Sequence, residues 1–179
     1  MEFKSFAIFC GSKEGSNLIY KQHAIELGKL LAEKNLCLIY GGGRNGLMGA
    51  AADSAMDHGG KVRGVIPQVL INWEHQHQNI SELIVVDDMH IRKRKMYEIC
   101  DAAIILPGGF GTLDELFEML TWNQLSIHDK KIFILNSDGF YNHLLKHLQK
   151  LASEGFLYEE IDNQFTVLNQ PVDLLMHLE

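Results

Sequence analysis

Two short stretches of this chain carry residue types that could do chemistry. The first is LPGGFGTLDELFEML, residues 106–120, where Gly108, Gly109 and Gly111 stand between an apolar run and a helical pattern. Glycines at this spacing let several backbone N–H groups turn toward one point. The start of a helix adds partial positive charge, so a phosphate fits such a junction. The same residues support another reading. Thr112-Leu113-Asp114-Glu115 has the spacing of a capping box, with Thr112 as N-cap and Glu115 bonding back to its amide. The two readings are not exclusive, but they differ in what a glutamine at 115 would do. It would serve a cap nearly as well as Glu, and it could not act as a charged catalytic group.

The second stretch is MHIRKRKM, residues 89–96. Met89, Arg92, Met96, Ile99 and Cys100 fall on one face of a helix, so an arginine stands inside an apolar stripe. Burying that charge unpaired would cost on the order of several kcal/mol. Arg92 therefore calls for an anion: a carboxylate in a structural ion pair, a phosphate, or both. Lys93 lies beside it in the first turns, while Arg94 and Lys95 point to a solvated face.

The elements that must position these residues alternate. Apolar runs at 3–9, 36–40, 61–66, 82–86, 102–106 and 131–135 read as strands, and helical patterns lie near 17–34, 46–58, 88–100, 112–126 and 138–153. A late strand at 164–168 and a terminal helix at 171–178 close the chain. Runs without polar alternation suit strands buried on both faces, as in a parallel sheet. The rhythm predicts an α/β fold, a doubly wound, Rossmann-like and mostly parallel sheet with helices on both faces. The length, 179 residues, is that of one nucleotide-binding domain over 1–179. The stretch 67–80 fits neither period and reads as an irregular excursion.

Ligands in such folds bind at the carboxyl ends of the strands. The loops there include CGS (10–12), GGGRNGLMG (41–49) and PGGFGT (107–112), which makes Gly11, Ser12, Gly42 and Gly43 further candidates for substrate contact. GGGRNG matches a dinucleotide fingerprint in form, but no acidic residue ends the next strand to hold a ribose hydroxyl. No Lys-Ser/Thr follows it, so it is not a Walker loop either. A close backbone approach and a tightly packed helix (Gly49, Ala50, Ala51, Ala52) remain, with a plain turn and a ligand role both open.

Bulk properties narrow the classes. The chain is 46% hydrophobic and 22% charged with a net charge of −7, which suits a globular protein and argues against a nucleic-acid polymer as partner. No apolar stretch reaches the ~18 residues of a membrane span, and the N-terminus lacks a signal-peptide core, so a cytoplasmic protein without a membrane partner is expected. Cys10, Cys37 and Cys100 are odd in number and widely spaced, as buried free thiols would be. His75 and His77 form an H-x-H pair too sparse to indicate a metal, and Trp73 and Trp122 read as core or interface.

PGGFGTLDE resembles the PGGxGTxxE motif of the LONELY GUY family of cytokinin riboside 5′-monophosphate phosphoribohydrolases, whose members are often labelled possible lysine decarboxylases. MHIRKRKM fits that family's MHxRKxxM pattern, and FCGS, GGGRNGLMG, TWNQLSIHDK and NSDGFYNHLL follow in the family's order. The resemblance implies hydrolysis of the N-glycosidic bond of an adenosine 5′-monophosphate, N6-modified or plain, to free base and ribose 5-phosphate. It carries Arg92 and Glu115 as the catalytic pair. It carries Lys93, Gly108, Gly109, Phe110, Gly111, Thr112, Leu113, Asp114 and Thr121 as nucleotide contacts, and Glu74 from a stretch whose wording departs from the family's. It implies no cofactor and no metal, and a homodimer in which helices 88–100 and 112–126 pack across the two-fold. Ribosidic cleavage builds an oxocarbenium-like state that a carboxylate stabilises. Arg92 near Glu115 would lower its pKa by ~1–3. The competing reading is a non-catalytic nucleotide carrier. A decarboxylase would need a Schiff-base lysine in an apolar strand-end setting, which the sequence lacks.

Overall fold

The computed structural model describes residues 3–71 and 76–178. Its elements run β1 (Ser5–Phe9), α1 (Leu18–Glu33), β2 (Cys37–Tyr40), α2 (Gly46–Asp57), β3 (Val62–Pro67), β4 (Glu82–Val86), α3 (Met89–Ile99), β5 (Ala102–Ile105), α4 (Phe110–Gln124), β6 (Lys131–Leu135), α5 (Asn142–Ser153) and β7 (Thr166–Leu168). The strands form one seven-stranded sheet in the order β4-β3-β2-β1-β5-β6-β7. Every pairing in it is parallel. This is the doubly wound, Rossmann-like arrangement that the sequence predicts, with its switch point between β1 and β5.

Strand side chains alternate between two helix layers. Phe6 and Ile8 of β1, with Ala102 and Ile104 of β5, face the layer that holds α1 and α2. Ala7 and Phe9, with Ala103 and Ile105, face α3, α4 and the start of α5. β1 and β5, at the centre of the sheet, are thus buried on both sides, which is why each reads as an unbroken apolar run. The alanine-rich α2 lies close on α1: Ala51, Ala52 and Ala55 are buried, and a Cβ on Gly28 would fall 2.2 Å from the Ala51 carbonyl oxygen. The Asn17 side chain caps α1 and Asp88 caps α3, the latter by accepting from the Ile91 N–H at 2.8 Å.

Some boundaries differ from the sequence expectation. The helix expected from 138 begins at Asn142, because Ser137–Gly139 forms a 3-10 turn with Asp138 at φ 50°. The terminal helix, Pro171–His177, is 3-10 rather than α, and carries a capping box between Gln170 and Asp173. Backbone N–H groups of Gln170 and Asn169 bind the Asp173 carboxylate and hold its pKa below the ordinary value, against the opposing effect of burial. Within the excursion at 67–80, Gln68–Leu70 forms a 3-10 turn, and Gln76 bridges back to Gly43. Cys10 and Cys100 are buried, Cys37 is half-buried, and all three are free.

Candidate active site

Three strand-end loops meet at the switch point. The Gly11 N–H, just after β1, donates to the Pro107 carbonyl after β5 at 3.0 Å, and the Leu47 N–H at the start of α2 donates to the Gly11 carbonyl at 3.0 Å. Above this junction lies a cavity of about 280 Å³. Its floor is the end of β1 with Cys10, Gly11 and Ser12, one wall is the start of α4, and the opposite wall comes from α3. Arg92 and Glu115 both line it. These two residues, 23 positions apart on separate helices, are thus brought to one place by the parallel order of β1 and β5.

The helix α4 does not begin where the capping box requires. Its N-cap is Gly109, with no side-chain cap, and the Leu113 N–H donates to the Gly109 carbonyl at 3.2 Å. Thr112 therefore lies inside the first turn. It is buried, and its Oγ1 would sit 2.1 Å from a Cβ on Gly108, so it packs beneath that glycine rather than capping the helix. Two consequences follow. The opening amides at 109–112 have no carbonyl one turn back. And Glu115 falls in the second turn, outside the capping position that its spacing suggested.

Arg92 is 5% exposed. Its Nη2 donates to the Gly41 carbonyl at 3.2 Å, and its Nη1 lies 3.6 Å from the Met89 sulfur. A Cβ on Gly41 would lie 1.7 Å from Nη2, so the guanidinium occupies the space that a side chain at 41 would need. Cys10, beside the pair, has its thiol pKa pushed far up by burial, then by the charge of Glu115, with Arg92 opposing. The rest of the wall is soft and apolar: Met48, Leu70, Met89 and Met96. Phe110 stands at the rim, 93% exposed.

The other predicted site residues distribute as follows. Gly109, Phe110, Gly111 and Thr112 line the cavity with Gly11 and Ser12. Gly108 lines an adjoining apolar chamber with Tyr20 and Phe140. Gly42 has φ +78° and packs against Ile66 and Leu83, and Gly43 takes the bridge to Gln76. Leu113 packs into the core beside α3. Lys93 pairs with Asp114 at 3.0 Å and with Glu118 at 3.1 Å. Burial lowers its pKa, but those two carboxylates outweigh it and leave the value raised. Thr121, farther along α4, donates to the Phe117 carbonyl and lines a separate groove against α5. Glu74, Trp73 and His75 lie outside the described residues. His77 is buried, and its Nε2 lies 2.9 Å from Asp53 while its Nδ1 accepts from the Asn79 N–H. Sequence reasoning placed Cys10, Gly41 and Met48 in strand-end loops without giving them a role, and it missed Leu70 and the α3 methionines as cavity wall. A glycine directly after a strand was the available signal for Gly41; the methionines read only as core.

The fold and this cavity define a class, a Rossmann-like protein with a cavity beside a helix start at the switch point that no side chain caps. The family model described as "Possible lysine decarboxylase" matches residues 48–178. The chain is 44% identical over 177 residues to a probable cytokinin riboside 5′-monophosphate phosphoribohydrolase of Oryza sativa subsp. japonica, covering 99% of this chain and 72% of that protein. It is 47% identical over 156 residues to a cytokinin riboside 5′-monophosphate phosphoribohydrolase of Arabidopsis thaliana, covering 87% and 73%. The chain belongs to this family, the LONELY GUY proteins. Among solved structures it resembles the molybdenum cofactor binding protein of Rippkaea orientalis, with TM-score 0.73, 21% identity and 99% and 96% of the two chains covered. The Moco carrier protein of Chlamydomonas reinhardtii is similar too, with TM-score 0.74, 20% identity and 97% and 94% covered. At these identities the two structures speak for the fold alone.

Proposed function

We propose that this chain hydrolyses the N-glycosidic bond of an adenosine 5′-monophosphate, N6-modified or plain, releasing free base and ribose 5-phosphate. The observation that carries the reading is the cavity holding Arg92 and Glu115 beside the uncapped start of α4. Relatives sharing 44% and 47% identity bear the name of that activity, which supports it. The phosphate sits on the amides at 109–112, where helix polarity favours it, and fixes the ribose in the cavity. This is catalysis by positioning. Glu115 then faces the sugar as the bond breaks, stabilising the oxocarbenium-like charge or activating water. Arg92, held by the Gly41 carbonyl, orients that carboxylate. The base lies against Met48, Leu70 and Met89, an adaptable apolar wall that accepts a substituent on N6. Among the described residues no lysine lines the cavity, so the decarboxylase label finds no Schiff-base residue there.

In this reading the protein acts in the cytoplasm, where nucleoside monophosphates are found, as a homodimer joined through α3 and α4. The exposed Ile91, Leu125 and Ile127 suit such an interface, and Thr121 would then serve a site across it. Light scattering of the purified chain tests the dimer. Incubation with AMP and with N6-isopentenyl-AMP, with chromatography for free base, tests the activity. Base released from either supports the hydrolase. Nucleotide bound with no base released points to the carrier.

A further inference from the structure

We infer that Lys93, Tyr97 and Glu118 form a clamp between α3 and α4 that positions Arg92 and Glu115, an assignment that rests on the hydrolase reading for what those two residues do. The clamp is built from pairs one turn apart on each helix. On α3, Lys93 and Tyr97 are spaced i, i+4; on α4, Asp114 and Glu118 are spaced likewise, so each pair shares a face. Lys93 Nζ reaches Asp114 at 3.0 Å and Glu118 Oε1 at 3.1 Å. Tyr97 donates its hydroxyl to Glu118 Oε2 at 2.7 Å. Both oxygens of Glu118 are thus engaged by α3.

The clamp is also anchored and partly dry. Tyr97 is 2% exposed and stacks edge-on against Phe9 of β1 at 5.9 Å and Trp122 of α4 at 5.2 Å. The Lys93 side chain is 11% exposed and that of Glu118 23%, whereas Asp114, at 64%, contributes little through solvent. None of these four residues lines the cavity, while their neighbours Arg92 and Glu115 do. A clamp touching each helix at two levels resists rotation about the helix axis. Rotating α4 by about 10° would carry a side-chain tip ~6 Å from its axis through about 1 Å. A displacement of that size at reacting groups costs about 100-fold in rate. Lys93 is therefore a positioning residue rather than a phosphate contact.

The test is a kinetic comparison of Lys93→Met, Lys93→Arg, Glu118→Gln and the Lys93→Met/Glu118→Gln double variant on AMP, with amide hydrogen exchange on the protein without nucleotide. Glu118→Gln and Lys93→Met should each lower kcat at least ~10-fold with KM within about twofold. The double variant should be no worse than the poorer single one, as for residues acting as a unit. Lys93→Arg should recover most of the rate, since a guanidinium can bridge two carboxylates. Exchange across 92–97 and 113–118 should quicken in Glu118→Gln. A raised KM at unchanged kcat in Lys93→Met, with Glu118→Gln silent, would overturn the clamp in favour of a phosphate contact. Unchanged exchange would overturn it independently of turnover. A wild-type protein that releases no base would overturn the hydrolase reading, and the exchange result would still decide the clamp.

Discussion

The two glycine loops at the switch point look alike in the sequence and differ in what their glycines meet. In the loop after β2, a Cβ on Gly46 would lie 2.3 Å from the Ser12 carbonyl carbon, and one on Gly49 would lie 1.9 Å from the Arg44 carbonyl oxygen. Gly42 and Gly46 also take positive φ, +78° and +62°. In the loop after β5, a Cβ on Gly109 or Gly111 would meet nothing within 4 Å, and neither has positive φ. The first loop needs glycine for packing and backbone conformation. At Gly109 and Gly111 the second has no such need within the chain. Their bareness keeps the cavity and the α4 amides open to a ligand, which is the role our functional reading gives them. The loops meet through Gly41, whose carbonyl and missing side chain seat Arg92 against the cavity that Glu115 enters from the other side.

That contrast can be broken or sharpened by substitution. Glu115→Gln should reduce base release on the order of 10³-fold in a protein that still folds, since glutamine keeps the shape of the side chain and the helix start at Gly109 does not depend on it. An active, folded Gln variant would remove Glu115 from the chemistry. Gly41→Ala should be next, with kcat down about 100-fold because the new methyl must displace the Arg92 guanidinium. Its signature is a large rate loss beside a modest loss of thermal stability, and a full rate would detach the first loop from the site. Gly111→Ala should separate the loops most cleanly. The position is helical, so alanine should leave stability equal or up to ~1 kcal/mol higher, while its methyl enters the phosphate site and raises KM about 10-fold. Unchanged KM would place the phosphate elsewhere. The smallest effect is expected for Asp53→Asn, which weakens the contact from His77 to α2. Asp53 is 54% exposed, so the loss should stay below ~1 kcal/mol, read by urea denaturation, with kcat unaltered.

Much of the fold was legible because burial on both faces writes an unbroken apolar run. Strands from β1 to β6 lie within a residue or two of where those runs place them. The 3-10 turn at Ser137–Gly139 was not legible, since it depends on Asp138 taking φ 50°. The burial of Arg92 could also be read, because its spacing places it in the apolar stripe of a helix. The start of α4 could not. Thr-x-x-Glu spacing fits a capping box in a peptide, but here Thr112 is drawn under Gly108 by the packing of the β5 loop on Gly11, and the helix opens three residues earlier than a Thr112 cap allows.

The sequence by itself determined the alternation of strands and helices, and with it a parallel sheet whose glycine loops share one edge. It also determined that Arg92 would be buried on a helix face. Only the tertiary structure decided which residues complete the site. Strand order put β1 beside β5 and so brought α3 and α4 together, giving Arg92 a seat on Gly41 and Lys93 its partners in Asp114 and Glu118. Periodicity records which face of an element is buried; it carries no information about which distant side chain fills the space opposite.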